Sequence, residues 1–165
     1  MRKDRAIEIV RIFLFGKEDD VKREIKRSFP AAKQGSINGI KSLSESISLY
    51  LNGRKVVFDR HPLCELRMSH FQRVVYRAVQ RIPYGRVATY KTIAQHSATR
   101  SARAVGNALA RNPFPILIPC HRVINSHRYL GGFQAGEDLK RTLLLIEKVP
   151  FEGYRRVATR SLIDA

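Results

Sequence analysis

The chain has 165 residues, 44% of them hydrophobic, enough to bury a core in one domain or two small ones and too apolar for a wholly disordered chain. Its longest apolar runs fall far short of a membrane span, and Arg2, Lys3, Asp4 and Arg5 replace the apolar core of a secretory signal; a soluble, intracellular, cytoplasmic protein is expected. The formal net charge of +17 has a polyanion as its natural partner, a basic solvated face or an acidic membrane surface being the alternatives.

Two cysteines, Cys64 and Cys120, make no disulfide framework, and the five histidines show no zinc spacing, so no metal and no cofactor are expected. The acids cluster in residues 1–60, whereas residues 66–136 hold no Asp or Glu at all. That acid-free stretch carries Arg67, Arg73, Arg77, Arg81, Arg86, Lys91, Arg100, Arg103, Arg111, Arg122 and Arg128, nearly all of them the side chain suited to forked phosphate contacts. The change of charge texture predicts a boundary near His61 and Pro62, dividing the chain into residues 1–62 and 63–165.

In the first part, residues 6–15 (AIEIVRIFLF) and 55–58 (KVVF) read as strands, and 20–29 and 41–50 as helices: a small α+β lobe with a structural role. At Ser69 the pattern sharpens. SHFQ has capping-box spacing, and Phe71, Val74, Val75, Ala78, Val79 and Ile82 recur at helical intervals up to Pro83. Pro83, Tyr84 and Gly85 predict a turn, Thr89 caps a short helix to about Gln95, and Ser101 caps a second over 102–110 that stops before Asn112 and Pro113. Two short helices on a tight polar link suggest a helix-turn-helix. Ala102, Gly106 and Ala110, four apart, give the second helix a smooth face beside Arg103, suited either to packing against another helix or to close approach to DNA.

Residues 115–119 (PILIP) read as a short buried strand that delivers Cys120 and His121. Cys120 has an immediate histidine and Cys64 does not, so Cys120 is the candidate nucleophile, although for a Cys-His pair alone a buried structural cysteine beside an unrelated histidine is the commoner arrangement.

PCHRV at 119–123, with RAVG at 103–106, NPFPILIP at 112–119 and IPYGRVATY at 82–90, resembles the O6-alkylguanine-DNA alkyltransferases, over about residues 69–147. The resemblance implies an N-terminal α/β lobe, RNase H-like with a small β-sheet and helix, on a mostly helical C-terminal domain with a helix-turn-helix. It implies stoichiometric, irreversible transfer of an alkyl group from O6-alkylguanine in double-stranded DNA to Cys120, with O4-alkylthymine as a second candidate substrate; a monomer is expected. His121 would be the base through a bridging water, oriented by Glu147, with Asn112 as the hinge asparagine. Arg103 would enter the base stack and Tyr90 would help rotate the nucleotide, with Ala102 and Gly106 facing the minor groove. Backbone at Cys120 and Val123 would read the guanine edge, and Phe133 and Gln134 of the loop LGGFQAG (130–136) would form the lid. The loop departs from the family pattern by carrying Phe133 for Tyr and Gln134 for a small polar residue, so methyl is the expected group. Three rivals remain: a non-catalytic lesion binder, against which Cys120 stands; a helix-turn-helix regulator, which leaves PCHRV unexplained; and a Cys-His hydrolase, which would turn over repeatedly.

Overall fold

The computed structural model describes residues 8–13, 18–33, 35, 38–58, 62–97 and 99–163. Six helices dominate the described residues: α1 Glu18–Ser28, α2 Asn38–Leu51, α3 His70–Gln80, α4 Tyr90–His96, α5 Ala102–Leu109 and α6 Glu137–Ile146. Among the described residues there are two small sheets, β1 (Ala88–Thr89) parallel to β2 (Val123–Ile124), and β3 (Phe151–Glu152) antiparallel to β4 (Arg156–Val157).

Local chemistry sets the helix starts. Ser69 accepts from the Gln72 amide while Gln72 Oε1 accepts from the Ser69 amide, a reciprocal cap worth about 1 kcal/mol on α3. Thr89 accepts from Thr92 N to start α4, and Ser101 from Ala104 N to start α5. The apolar face of α3 (Val75, Ala78, Val79) packs with Ile93 and Ala94 of α4 and with Val105, Ala108 and Leu109 of α5. These helices meet as three mutually packed rods, and the short β1–β2 pairing ties the start of α4 to the segment after Cys120.

The first part differs from the sequence reading. Its helices form, at slightly shifted bounds, but its described residues hold no strand. Of residues 6–15, positions 6, 7, 14 and 15 lie outside the described residues; the rest touch the C-terminal part through one bridge, Ile9 to Leu63, with Cys64 N donating to Ile9 O at 2.8 Å, and through Ile12 N donating to Pro113 O at 2.9 Å. Residues 55–58 alternate in burial, Val57 being 69% exposed while Val56 and Phe58 turn inward, yet among the described residues no partner strand lies beside them. Alternation records a half-buried extended segment, and a ladder needs a neighbour as well. The small sheets lie instead in the C-terminal part. Residues 115–119 are likewise no strand: Ile118 N donates to Phe114 O, Pro115 bridges Ile118, and Ile116 adopts φ 72°, a tight loop whose flanking prolines have no N–H for a ladder. Among the described residues no helix is long and apolar enough to cross a membrane.

Candidate active site

Cys120 opens a single 3-10 turn, Cys120–Arg122, buried at the floor of a cavity of about 500 Å³. Successive side chains of such a turn diverge by about 120°, so Cys120 and His121 point different ways, as an extended segment would also have made them do. The thiol faces the cavity and the imidazole faces the interior, 1% exposed.

Asn112 organises the thiol. Its Oδ1 accepts from Phe114 N at 2.9 Å, which turns its amide nitrogen toward Ile118 O (3.0 Å) and Cys120 Sγ (3.2 Å). Burial pushes the Cys120 thiol up from its ordinary value, with the Asn112 hydrogen bond and the charge of Lys140 pulling the other way. The sulfur is therefore a protonated thiol at neutral pH that must lose its proton to react.

The buried network lies behind it. Glu147 caps the C-terminus of α6, the negative end of the helix dipole, where a carboxylate needs strong donors. It has them: its Oε1 accepts from Tyr50 Oη (2.7 Å), His121 Nε2 (2.9 Å) and Arg122 Nη2 (2.8 Å), and its Oε2 from Arg122 Nε (2.9 Å) and Gly85 N (3.0 Å). Burial pushes the Glu147 carboxyl up, but the His121 and Arg122 bonds and charges outweigh it and hold it at about 2. Gly85 belongs to this arrangement: at φ 77° a side-chain carbon there would lie 3.1 Å from the Glu147 carbonyl. A carboxylate only accepts, so His121 Nε2 carries the hydrogen and Nδ1 presents a lone pair. Nδ1 is buried without a hydrogen-bond partner among the described residues. Burial lowers the His121 pKa, opposed by Glu147, so the ring is neutral at neutral pH.

The cavity wall is the face of α5 singled out by its small residues. Ala102, Gly106 and Ala110 line it, Ala102 and Ala110 exposed, while Val105 and Ala108 turn to the core; the ring of Tyr90, the first residue of α4, lies over Gly106, so the face both touches a neighbouring helix and borders the cavity. Arg103 is exposed at the start of the helix. Tyr90 stands between Gly106 and Gly131, its hydroxyl donating to Gly132 O at 3.3 Å, and Phe133 and Gln134 complete the opposite wall. Cys120, Phe133 and Gln134 also border a second cavity of about 220 Å³ reached by Arg11, Ile12 and Phe13. Val123 is buried and does not line the main cavity; its carbonyl accepts from Lys140 Nζ at 2.6 Å.

Three residues enter the site that the sequence reading left out or placed elsewhere. Arg122, counted among the phosphate-facing arginines, is buried on Glu147 and donates to Ile82 O at 2.7 Å. An arginine beside the histidine of PCHRV, on a segment otherwise apolar, was the available signal. Lys140 is fully buried, donating to the Val123 and Leu130 carbonyls and lying 5.7 Å from the Tyr90 ring; burial brings its pKa down to about 8. Its spacing with Leu143 and Leu144 puts it on the inward face of α6. Tyr50 comes from α2, on the same face as Leu43 and Ile47. Both cysteines are free thiols, and among the described residues no group of three or more His, Cys, Asp or Glu gathers as metal ligands.

Residues 70–149 match the family described as 6-O-methylguanine DNA methyltransferase, DNA binding domain. The chain is 45% identical over 114 residues to the methylated-DNA-protein-cysteine methyltransferase of Methanothermobacter thermautotrophicus, a match covering 69% of this chain and 64% of that protein. It is 42% identical over 117 residues to the protein so named from Metallosphaera sedula, covering 68% of this chain and 73% of that one. The chain thus spans less than two thirds of the first relative and more than two thirds of the second. Among solved structures, Mycobacterium tuberculosis OGT in complex with DNA superposes with a TM-score of 0.60 at 37% identity, covering 64% of each chain.

Proposed function

Because the chain belongs to the methylated-DNA-protein-cysteine methyltransferase family, we propose that it repairs DNA by moving the alkyl group of O6-alkylguanine onto Cys120, once per molecule. The observation that carries this reading is the thiol of Cys120 at the floor of the cavity, followed in the same turn by His121, whose Nδ1 is buried without a partner among the described residues.

His121 Nδ1 takes the thiol proton through a bridging water, and Glu147, already bonded to Nε2, stabilises the imidazolium. The sulfur forms a bond to the alkyl carbon as the carbon–oxygen bond breaks; that electron pair stays on the guanine, which regains one proton for the one the thiol gave up. The product is a thioether, whose carbon–sulfur bond is stable to water, so the chain ends each transfer alkylated. Asn112 holds the sulfur in line.

The alkylated atom is inside a duplex, so the nucleotide is flipped into the cavity. In this reading α4, the link and α5 serve as the helix-turn-helix, within a C-terminal unit of residues 63–165 behind a lobe of residues 1–62. The small face of α5 lies against the minor groove, where narrow walls favour small side chains and little sequence is read. Arg103 fills the vacated place in the stack, and Tyr90 and the Phe133–Gln134 lid hold the base. In this reading backbone at Cys120 and Val123 meets the guanine edge.

The test is to incubate the protein with a duplex containing O6-methylguanine and to weigh the intact chain and its Cys120 peptide. One methyl per chain on Cys120, absent in Cys120→Ser, is expected. No gain in mass refutes transfer, and continued product release beyond one equivalent points to hydrolysis.

A further inference from the structure

The proton relay just described uses His121, Glu147 and Cys120. One buried hydroxyl that touches two of these three is left over, and it comes from the other end of the chain. Tyr50, carried by α2, is 1% exposed; its Oη donates to Glu147 Oε1 at 2.7 Å and lies 3.1 Å from His121 Nε2. Its ring is held edge-on by Phe58 (5.9 Å between centroids) and Tyr84 (6.3 Å), so the phenol is a fixed donor. Burial and the neighbouring Glu147 push its pKa far up, which keeps the hydroxyl protonated throughout the working range.

We infer that Tyr50 is a positioning residue of the relay: its hydroxyl holds the Glu147 carboxylate and the His121 ring in the tautomer that leaves Nδ1 free as the base. The N-terminal segment thereby completes the active site rather than merely supporting it. This rests on the transfer reading above for its chemical meaning, and on the geometry alone for the coupling between Tyr50 and His121.

The direction of the effect follows from the groups facing His121 and Glu147. These are Arg122 from the same turn, Lys140 from α6, Gly85 N and Tyr84 from the turn after α3, Cys120 beside them and Tyr50 from α2. Arg122 and Gly85 N keep their bonds in any Tyr50 variant. Losing the phenol hydroxyl removes one donor from Oε1, concentrates negative charge there and strengthens its hold on a protonated imidazole. His121 then takes a proton at higher pH, and the acidic limb of the transfer rate, where the base is lost, moves upward by about one pH unit.

The experiment follows the His121 ring nitrogens by NMR across pH in the full chain, together with single-turnover methylation of Cys120 by mass. Wild type is compared with Tyr50→Phe, with site-specific 3-fluorotyrosine at position 50, and with Tyr84→Phe. The last removes a hydroxyl bound to the Ile146 and Gly53 carbonyls, at the same junction but off Glu147. Tyr50→Phe should raise the His121 titration and the acidic limb together, and fluorotyrosine, a stronger donor, should lower both. Tyr84→Phe should leave both in place. Unmoved titrations in both Tyr50 variants, or an equal shift in Tyr84→Phe, overturn the inference. If Tyr50→Phe does not fold, the fluorotyrosine chain decides alone. If wild type takes no methyl at any pH, the transfer reading fails, while the NMR titration still decides the Tyr50 coupling.

Discussion

Glu147 accepts from Tyr50, His121, Arg122 and Gly85 within one buried cluster, and its protonation state governs more than chemistry. Its carboxyl titrates at about 2 in the fold against 4.5 ordinarily, a difference worth about 3 kcal/mol of stability at neutral pH. The unfolded chain binds this proton first as pH falls, so the contribution is complete above 4.5 and is lost between 4.5 and about 2. His121 acts in the same direction: the fold resists protonating it, so stability also declines as pH falls below its ordinary value of 6.5. Urea-unfolding midpoints should therefore drop steadily from pH 7 to 3. Glu147→Gln should be less stable at pH 7 and show a flatter dependence below 4.5; an equally steep one would show that Glu147 is not the titrating group.

At the scale of elements, α5 explains why small residues recur every four positions. Its inner face closes the packing of α3 and α4, and its outer face is part of the cavity wall above Cys120. Arg103 is exposed beside that face, and in the proposed reading it acts on duplex and not on thiol chemistry. Arg103→Ala should slow repair of O6-methylguanine in a duplex at least about tenfold, a loss of about 1.4 kcal/mol or more, and leave reaction with the free O6-alkylguanine base near wild type. Equal losses on both substrates would remove Arg103 from base extrusion. The caps at Ser69, Thr89 and Ser101 and the proline stop at Pro113 were readable because each rests on a bond within four residues of itself. The strands expected at 6–15, 55–58 and 115–119 were not, since pairing depends on what lies alongside and local alternation carries no record of that.

Across the whole molecule, the positive charge divides by use. Arg122 is consumed inside by Glu147, Arg128 bonds Glu152 and Arg86 binds the Arg160 and Leu162 carbonyls, whereas Arg100, Arg103 and Arg111 are exposed around the ends of α5. Duplex binding should weaken about tenfold or more between roughly 50 and 200 mM salt if two or more of these neutralise phosphates. Reaction with the free base should scarcely respond; a flat salt dependence for duplex would contradict phosphate contact by this face.

What the sequence determined by itself was the chemistry that travels with short contiguous strings: the acid-free basic stretch, the capped helices, the smooth face of α5 and the pairing of Cys120 with His121. These are properties of neighbours along the chain. Only the tertiary structure decided that Arg122 faces inward, that Lys140 is buried under Tyr90, and that Tyr50, 71 positions before His121, shares a carboxylate with it. Burial and hydrogen-bond partners at such separations come from how helices pack, and a carboxylate at the end of α6 gathers its donors from three separate segments that no local pattern connects.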